Sequence, residues 1–439
     1  MLIPHDMNGQ TIGVLGLGGS GIAAVAALRA AGAHVFAFDD VKSQHDIPDI
    51  LMADWQEWPW QDLDAMVISP GIPHQHPKPH PAAALAMRRN IEVISEVELA
   101  LRAKPAAALV VITGTNGKST TTALIGHCLK AAGRAVAIGG NLGDPASSLD
   151  DPGKHGVLVL ELSSYQLEIT PSLAPAISIL LNISPDHLDR HGGMGGYIAA
   201  KAISLDRLGP DSLAIIGDGD DHVRTLAERT RQRGIKTLIA HPDLAPEVQR
   251  HSASLAGLHN AENAAAAALA LGALGLDTDV INRGIESYVS LPHRLQPVAH
   301  CGNIQFINDS KATNGAAAAR ALLAFNDIYW VAGGLAKQDG LAPALNCLGA
   351  VKKAYLIGTA AAEFATSLAG HCQTAICGDL ETATRAAFDD ASAAANGGTI
   401  LLAPAAASFD QFSNFGVRGA AFTALAKSLC TNRSGGAHA

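Results

Sequence analysis

The sequence predicts an α/β protein built as three consecutive domains. Short apolar, β-branched runs recur between longer alanine-rich segments of helical character. Two of those runs break directly into glycine-rich turns followed by helix-forming residues, the local pattern of a strand–loop–helix anion site. The length, 439 residues, corresponds to three domains of about 150 residues each. The expected boundaries are 1–94, 95–292 and 293–439.

The first domain opens with the strand Thr11 to Leu15, then Gly16-Leu17-Gly18-Gly19-Ser20-Gly21, then an apolar helix from Ile22 to Ala31. A second strand, His34 to Phe38, ends at Asp39-Asp40, and a third, Ala65 to Ile68, closes on Ser69-Pro70-Gly71-Ile72-Pro73. Gly-x-Gly-x-x-Gly with an acidic residue about twenty positions on is a Rossmann-like fingerprint for a phosphate or pyrophosphate at a helix start. It does not by itself specify a nicotinamide cofactor.

The central domain begins with a helix from Glu96 to Ala103, followed by strands at Val110–Ile112, Gly156–Leu160 and Ala176–Leu181. These are near-continuous apolar runs, as buried and mostly parallel strands require. The third domain, also Rossmann-like, has strands at Ile304–Ile307, Ile328–Val331, Lys353–Ile357 and Thr399–Leu402, with helices between. The small, polar tail from Asn432 to Ala439 reads as disordered.

Bulk properties narrow the function classes. The chain is 48% hydrophobic and 16% charged, with a formal net charge of −9, and Lys/Arg clusters stay short. The electrostatic footprint of nucleic-acid binding is therefore missing. The six cysteines (Cys128, Cys301, Cys347, Cys372, Cys377, Cys430) form no CxxC pair and no zinc-ligand spacing, and read as reduced thiols. The first sixteen residues lack a signal-peptide pattern. The Ala/Leu-rich run Ala264–Leu276 is too short for a bilayer span. A cytoplasmic protein without membrane insertion is expected.

The most informative stretch is Gly114-Thr115-Asn116-Gly117-Lys118-Ser119-Thr120, between a strand and a helix. Glycines let backbone N–H groups face inward, the helix start adds partial positive charge, and the lysine reaches terminal phosphates. The serine hydroxyl is placed to ligate Mg²⁺. The usual phosphate loop has a glycine five residues before the second one, where this chain has Ile112. ATP is the expected ligand of this shortened form. Glu161 directly follows an apolar strand and suits a metal on ATP phosphates. His187, flanked by Asp186 and Asp189 after the next strand, is a second candidate site residue.

Together, Gly114 to Ser119, Glu161-Leu162-Ser163-Ser164, Asn182 through Asp186-His187-Leu188-Asp189, Gly257 to Asn263 and His293-Arg294 resemble the Mur ligases. These are ATP-dependent amide-forming enzymes of peptidoglycan precursor synthesis. The resemblance covers nearly the whole chain. Ser69 to Pro73, Leu291 to Arg294, Asn308 to Asn314 and Ser408 to Phe412 are similar to the branch that adds D-glutamate to UDP-N-acetylmuramoyl-L-alanine. The resemblance implies those two substrates with ATP, an acyl-phosphate route, two Mg²⁺ sites and a monomer.

By the same resemblance, Lys118 contacts the phosphates, Ser119 and Glu161 serve one metal, and His187 a second. Lys201 matches a lysine that CO₂ converts to a carbamate, an anionic oxygen ligand that an ammonium cannot be. Lys118, His187 and Lys201 are thus the expected catalytic set. Asn141, Asn263, Arg294 and Asp309 match ATP positions, and Arg294 is apt because a guanidinium bridges phosphate oxygens. Lys311, Thr313, Lys337, Ser408, Phe409 and Phe415 match D-glutamate positions. Gly19, Ser20, Asp39, Ser69, Pro70 and Gly71 match the UDP-substrate side, although Val41 stands where a basic residue is common. Sister ligases with another amino acid, a folylpolyglutamate synthase-like enzyme, a nicotinamide-dependent dehydrogenase and a non-catalytic nucleotide-binding regulator are the alternatives.

Overall fold

The computed structural model describes residues 1–42, 52–255, 257–336 and 340–435. Among them the strands form three sheets. The first contains β1 (Thr11–Leu15), β2 (His34–Phe38), β3 (Ala65–Ile68) and β4 (Glu92–Ile94), all parallel in the order β2-β1-β3-β4. The second contains β5 (Ala108–Thr113), β6 (Val136–Gly140), β7 (Val157–Glu161), β8 (Ile177–Leu180), β9 (Leu213–Gly217) and β10 (Lys236–Ala240). They are parallel in the order β10-β9-β8-β5-β7-β6. The third contains β11 (Gln296–Cys301), β12 (Ile304–Asn308), β13 (Ile328–Gly333), β14 (Val351–Ile357), β15 (Gln373–Gly378) and β16 (Gly398–Leu402), in the order β11-β12-β16-β13-β14-β15. Its edge strand β11 runs antiparallel to β12 and the rest are parallel.

Each sheet is covered on both faces, which explains the unbroken apolar runs. In the first, Ile12, Val14 and Val67 pack with Leu28 and Ile94 on one side. Leu15, Met66 and Ile68 meet Trp58 and Trp60 on the other. In the second, Val111, Leu158, Leu160, Leu180, Ala214 and Ile216 are buried on one face, and Val110, Ile112, Val159, Ile179 and Ile215 on the other. In the third, Trp330 and Leu401 oppose Val331, Ile400 and Leu402 across the sheet. Burying one such side chain contributes about 2 kcal/mol, so alternate strand residues anchor opposite layers.

The chain divides into two compact units. One comprises Met1–Ala245 with Glu262–Ile285 and holds the first two sheets; the other comprises Pro246–Ala261 with Glu286–Ala439 and holds the third. The α/β expectation stands, with a mixed rather than wholly parallel third sheet. Strand β11 was not legible because Gln296-Pro297-Val298-Ala299-His300-Cys301 lacks a clean alternation. Its proline and the register shift between Pro297 and Ala299 are tolerated at a sheet edge.

Two expectations are corrected. The last helix runs from Phe415 to Gly435, so residues 432–435 are helical, while 436–439 lie outside the described residues. Cys301 and Cys430, expected as thiols, are joined in a disulfide. They lie 129 residues apart in sequence, and only folding of the helix against β11 brings their Cα atoms to 5.4 Å, a bridging distance. Cys128, Cys347, Cys372 and Cys377 are free. Among the described residues no helix is long and apolar enough to cross a membrane.

Candidate active site

Strand β5 lies between β8 and β7, so the loops after these three strands share one edge of the second sheet. The loop after β5 turns at Gly114 and Gly117 into the helix Lys118–Ala131, whose N-cap, Gly117, has no side-chain cap. Gly117 has φ +87°, and a Cβ there would strike Asn263 Oδ1. Only glycine satisfies both the left-handed backbone and the approach of Asn263.

The loop is held from behind by the segment after β8. Asn182 Oδ1 accepts from the Asn116 N–H at 2.9 Å and its Nδ2 donates to Asn116 O at 3.1 Å. The Thr115 N–H donates to Asn182 O at 2.8 Å. Thr115 Oγ1 donates to Ser184 O at 3.1 Å and lies 3.0 Å from the Tyr197 hydroxyl. Lys118 Nζ curls over the loop, donating to Gly114 O and Thr115 O, each at 2.9 Å. Ser119 is buried on the first turn of the helix, and Thr120 follows it, partly exposed.

Glu161 ends β7, fully enclosed. Asn141 Nδ2 donates to its Oε1 at 2.7 Å, while Oε2 is buried without a hydrogen-bond partner. A buried anionic oxygen left unpaired is costly unless a cation joins it. Lys201, on the helix Met194–Asp206, is also buried, and its Nζ donates to Gly114 O at 2.8 Å and sits 4.7 Å from the Tyr197 ring centroid. Burial, reinforced by the like charge of Lys118, drives its pKa well below the lysine range against the pull of Asp186 and Glu161. Lys118 and Lys201 therefore meet at one carbonyl oxygen, beside Glu161.

His187 has φ +53°, is half-exposed, and places Nε2 3.5 Å from Asp186 Oδ2 and its ring 5.4 Å from that of Tyr165. Among the described residues no three His, Cys, Asp or Glu side chains converge as a metal cluster.

The residues matched to the UDP side gather at the ends of β1, β2 and β3. Gly19 and Ser20 begin a helix whose N-cap, Gly18, has no side-chain cap. Asp39 accepts from the N–H groups of Leu17, Val41 and Lys42 at 2.5, 2.9 and 2.8 Å. Burial works to raise its pKa, but the Leu17, Lys42 and Val41 donors outweigh it and hold the carboxylate below its ordinary value. Lys42, not Val41, supplies a nearby cation, with Nζ 2.7 Å from Leu17 O. Ser69 Oγ donates to Gly16 O at 2.8 Å. Asp39 and Ser69 thus shape the glycine loop.

The sequence reading assigned no role to Arg190. Its guanidinium donates to the carbonyls of Pro70, Gly71 and Ile72 at 3.2, 3.0 and 3.2 Å and lies 4.4 Å over the Tyr165 ring. It ties the Ser69–Pro73 loop to the segment carrying His187. Nothing in the local sequence signals three carbonyl partners 118 to 120 residues away.

In the second unit, Asp309 follows β12 and accepts from the Leu295 N–H at 3.2 Å. Burial pushes its pKa up to about 7, opposed by that N–H and by Arg294. Lys311 Nζ lies 4.1 Å over the Phe415 ring. Thr313 follows on the same loop, Ser408 is buried, and Phe409 is 70% exposed. These residues occupy loops after β12 and β16, which are neighbours in the sheet, plus the start of the last helix. Lys337 lies outside the described residues.

Comparison with known proteins bears on this arrangement. A profile of the Mur ligase middle domain matches residues 112–271. The UDP-N-acetylmuramoylalanine–D-glutamate ligase of Nitrobacter hamburgensis is 42% identical over 454 residues, covering 96% of this chain and 97% of its own. The chain belongs to the UDP-N-acetylmuramoylalanine–D-glutamate ligase family. The same-named ligase of Agrobacterium fabrum is 42% identical over 462 residues, covering 98% and 97%. The crystal structure of MurF ligase from Thermotoga maritima in complex with ADP shares the fold, with a TM-score of 0.59 at 16% identity, covering 99% of this chain and 98% of that one.

Proposed function

We propose that the chain uses ATP to join the amine of D-glutamate to the carboxyl of UDP-N-acetylmuramoyl-L-alanine, acting as a cytoplasmic monomer. The observation that carries this reading is the meeting of Lys118 and Lys201 at Gly114 O beside the unpartnered Glu161 oxygen. In water the condensation is uphill, and the γ-phosphoryl group moves first to a carboxylate oxygen of the acceptor while ADP departs. The amine then attacks the acyl carbon, the phosphate leaves, and the amine sheds a proton.

Bringing two anions together needs fixed positive charge, which is the task of Lys118 and of the N–H groups of Gly117 to Ser119 at the helix start. Glu161, Ser119, His187 and a carbamylated Lys201 fit Mg²⁺, which would neutralise phosphate charge as the phosphoryl group moves. Lys201 is suited to the modification because only a neutral amine captures CO₂, and burial favours that form. Asn141 orients Glu161, and Asn263 backs the loop. Arg294 and Asp309 complete the nucleotide positions. Lys311, Thr313, Ser408, Phe409, Phe415 and Lys337 serve the amino acid.

The three sheets support a division near residues 94 and 292 into UDP-substrate, ATP and amino-acid domains. A dehydrogenase leaves the phosphate loop and Glu161 without a task. The test is ADP formation with each substrate omitted in turn. Release that requires both UDP-N-acetylmuramoyl-L-alanine and D-glutamate supports the reading, and release indifferent to either overturns it.

A further inference from the structure

Arg418 is among the largest fully buried side chains, 1% exposed, on the helix Phe415–Gly435. Its Nε donates to Ser310 Oγ at 3.0 Å, and Nη2 donates to Ser310 O at 2.9 Å and Ala406 O at 3.1 Å. Ser310 Oγ in turn donates to Phe415 O at 2.8 Å. Nη1 is buried without a hydrogen-bond partner and points toward Gly334, where a Cβ would lie 3.2 Å from it. One guanidinium therefore touches the loops that follow β12, β16 and β13, three adjacent strands. Leu335 and Ala407 bond each other reciprocally at 2.9 Å, locking two of those loops together at the same point.

Among the described residues no carboxylate lies within ion-pair distance of Arg418. Burial pushes its pKa down to about 10, with only Asp410 pulling the other way. A buried cation so poorly compensated is expensive as a mere packing device. Its rigid fork suits it to holding carbonyl groups at fixed separations.

We propose that Arg418 is a positioning residue for the incoming amino acid, fixing the loops that carry Lys311, Thr313, Ser408 and Phe409 and adding positive potential beneath a dicarboxylate. This rests on the assignment of those loops to the amino acid. Arg418 acts on the amino acid only through Ser310 and the Ala406 carbonyl, so geometry and charge are separable. Lysine preserves the charge and loses the fork; methionine loses both.

The test measures ADP release by the full chain carrying Arg418→Lys, Arg418→Met or Ser310→Ala, varying each substrate separately. The KM for the amino acid is expected to rise about tenfold in Arg418→Lys and further in Arg418→Met, with the other two KM values within about twofold. An unchanged amino-acid KM in Arg418→Lys, or equal rises in all three, overturns the proposal. Should the Arg418 variants not fold, Ser310→Ala keeps the cation, and an amino-acid KM raised about threefold is expected; no rise overturns it. If another amino acid drives ADP release in the unaltered chain, the D-glutamate assignment falls, and the KM for that amino acid becomes the readout for Arg418.

Discussion

Asn141 donates to one carboxylate oxygen of Glu161 at 2.7 Å, and the second oxygen is buried with no hydrogen-bond partner. The amide fixes the carboxylate plane, so the remaining lone pairs point where a cation is needed. Glu161→Gln preserves an acceptor for Asn141 and removes the charge. ADP formation at saturating Mg²⁺ is expected to fall at least about a hundredfold, with little change in thermal stability. Full activity in this variant would remove Glu161 from the metal set.

Lys201 gives a second prediction. Its amine is buried against Gly114 O and the Tyr197 ring and is held toward the neutral form. Protein equilibrated with ¹³C-labelled bicarbonate should show a carbamate carbon resonance that is missing from Lys201→Ala. Activity of the unaltered chain should fall in CO₂-depleted buffer and return on adding bicarbonate. A spectrum identical in both proteins would sink the carbamate.

How much of this was legible follows from what each residue's partners are. Gly114 to Ser119 and Glu161 were readable because strand, turn and helix are adjacent in sequence, and local spacing fixes the loop's chemistry. The places of β1, β2 and β3 were equally legible as apolar runs ending at Gly16, Asp39 and Ser69-Pro70. Arg190, Arg418 and the Cys301–Cys430 bridge were not, because their partners lie between 12 and 129 residues away and belong to other elements. An arginine that binds carbonyls leaves no complementary acid in the sequence to find. Asp39 shows the converse. Its place after β2 was legible, but its use, binding three backbone N–H groups, emerged only from the fold.

Arg190 supports a third prediction. Its three bonds to Pro70, Gly71 and Ile72 hold a loop assigned to the UDP-linked substrate. Arg190→Lys keeps a cation but cannot reach three carbonyls with one rigid fork. The KM for UDP-N-acetylmuramoyl-L-alanine is expected to rise about tenfold, with the KM for ATP within about twofold. Equal KM values in the two proteins would show that the loop holds its shape without Arg190.

Asp309 yields a pH dependence with a definite sign. Its carboxyl titrates at about 7 in the folded chain against an ordinary 3.8, chiefly because it is buried. Between those values the folded state binds the proton more tightly than the unfolded state. Its contribution to stability is therefore greatest at acid pH and declines as pH rises from about 4 to about 7, levelling off above. A shift of about 3 units corresponds to roughly 4 kcal/mol across that window. Asp309→Asn can still accept from the Leu295 N–H and does not titrate. Comparing thermal unfolding of the two proteins from pH 5 to pH 8 cancels the other titrating groups. The variant's advantage in Tm should grow up to about pH 7 and then stay constant. A difference that is flat across the range, or one that shrinks as pH rises, would mean that Asp309 is ionised throughout and that Arg294 compensates its burial.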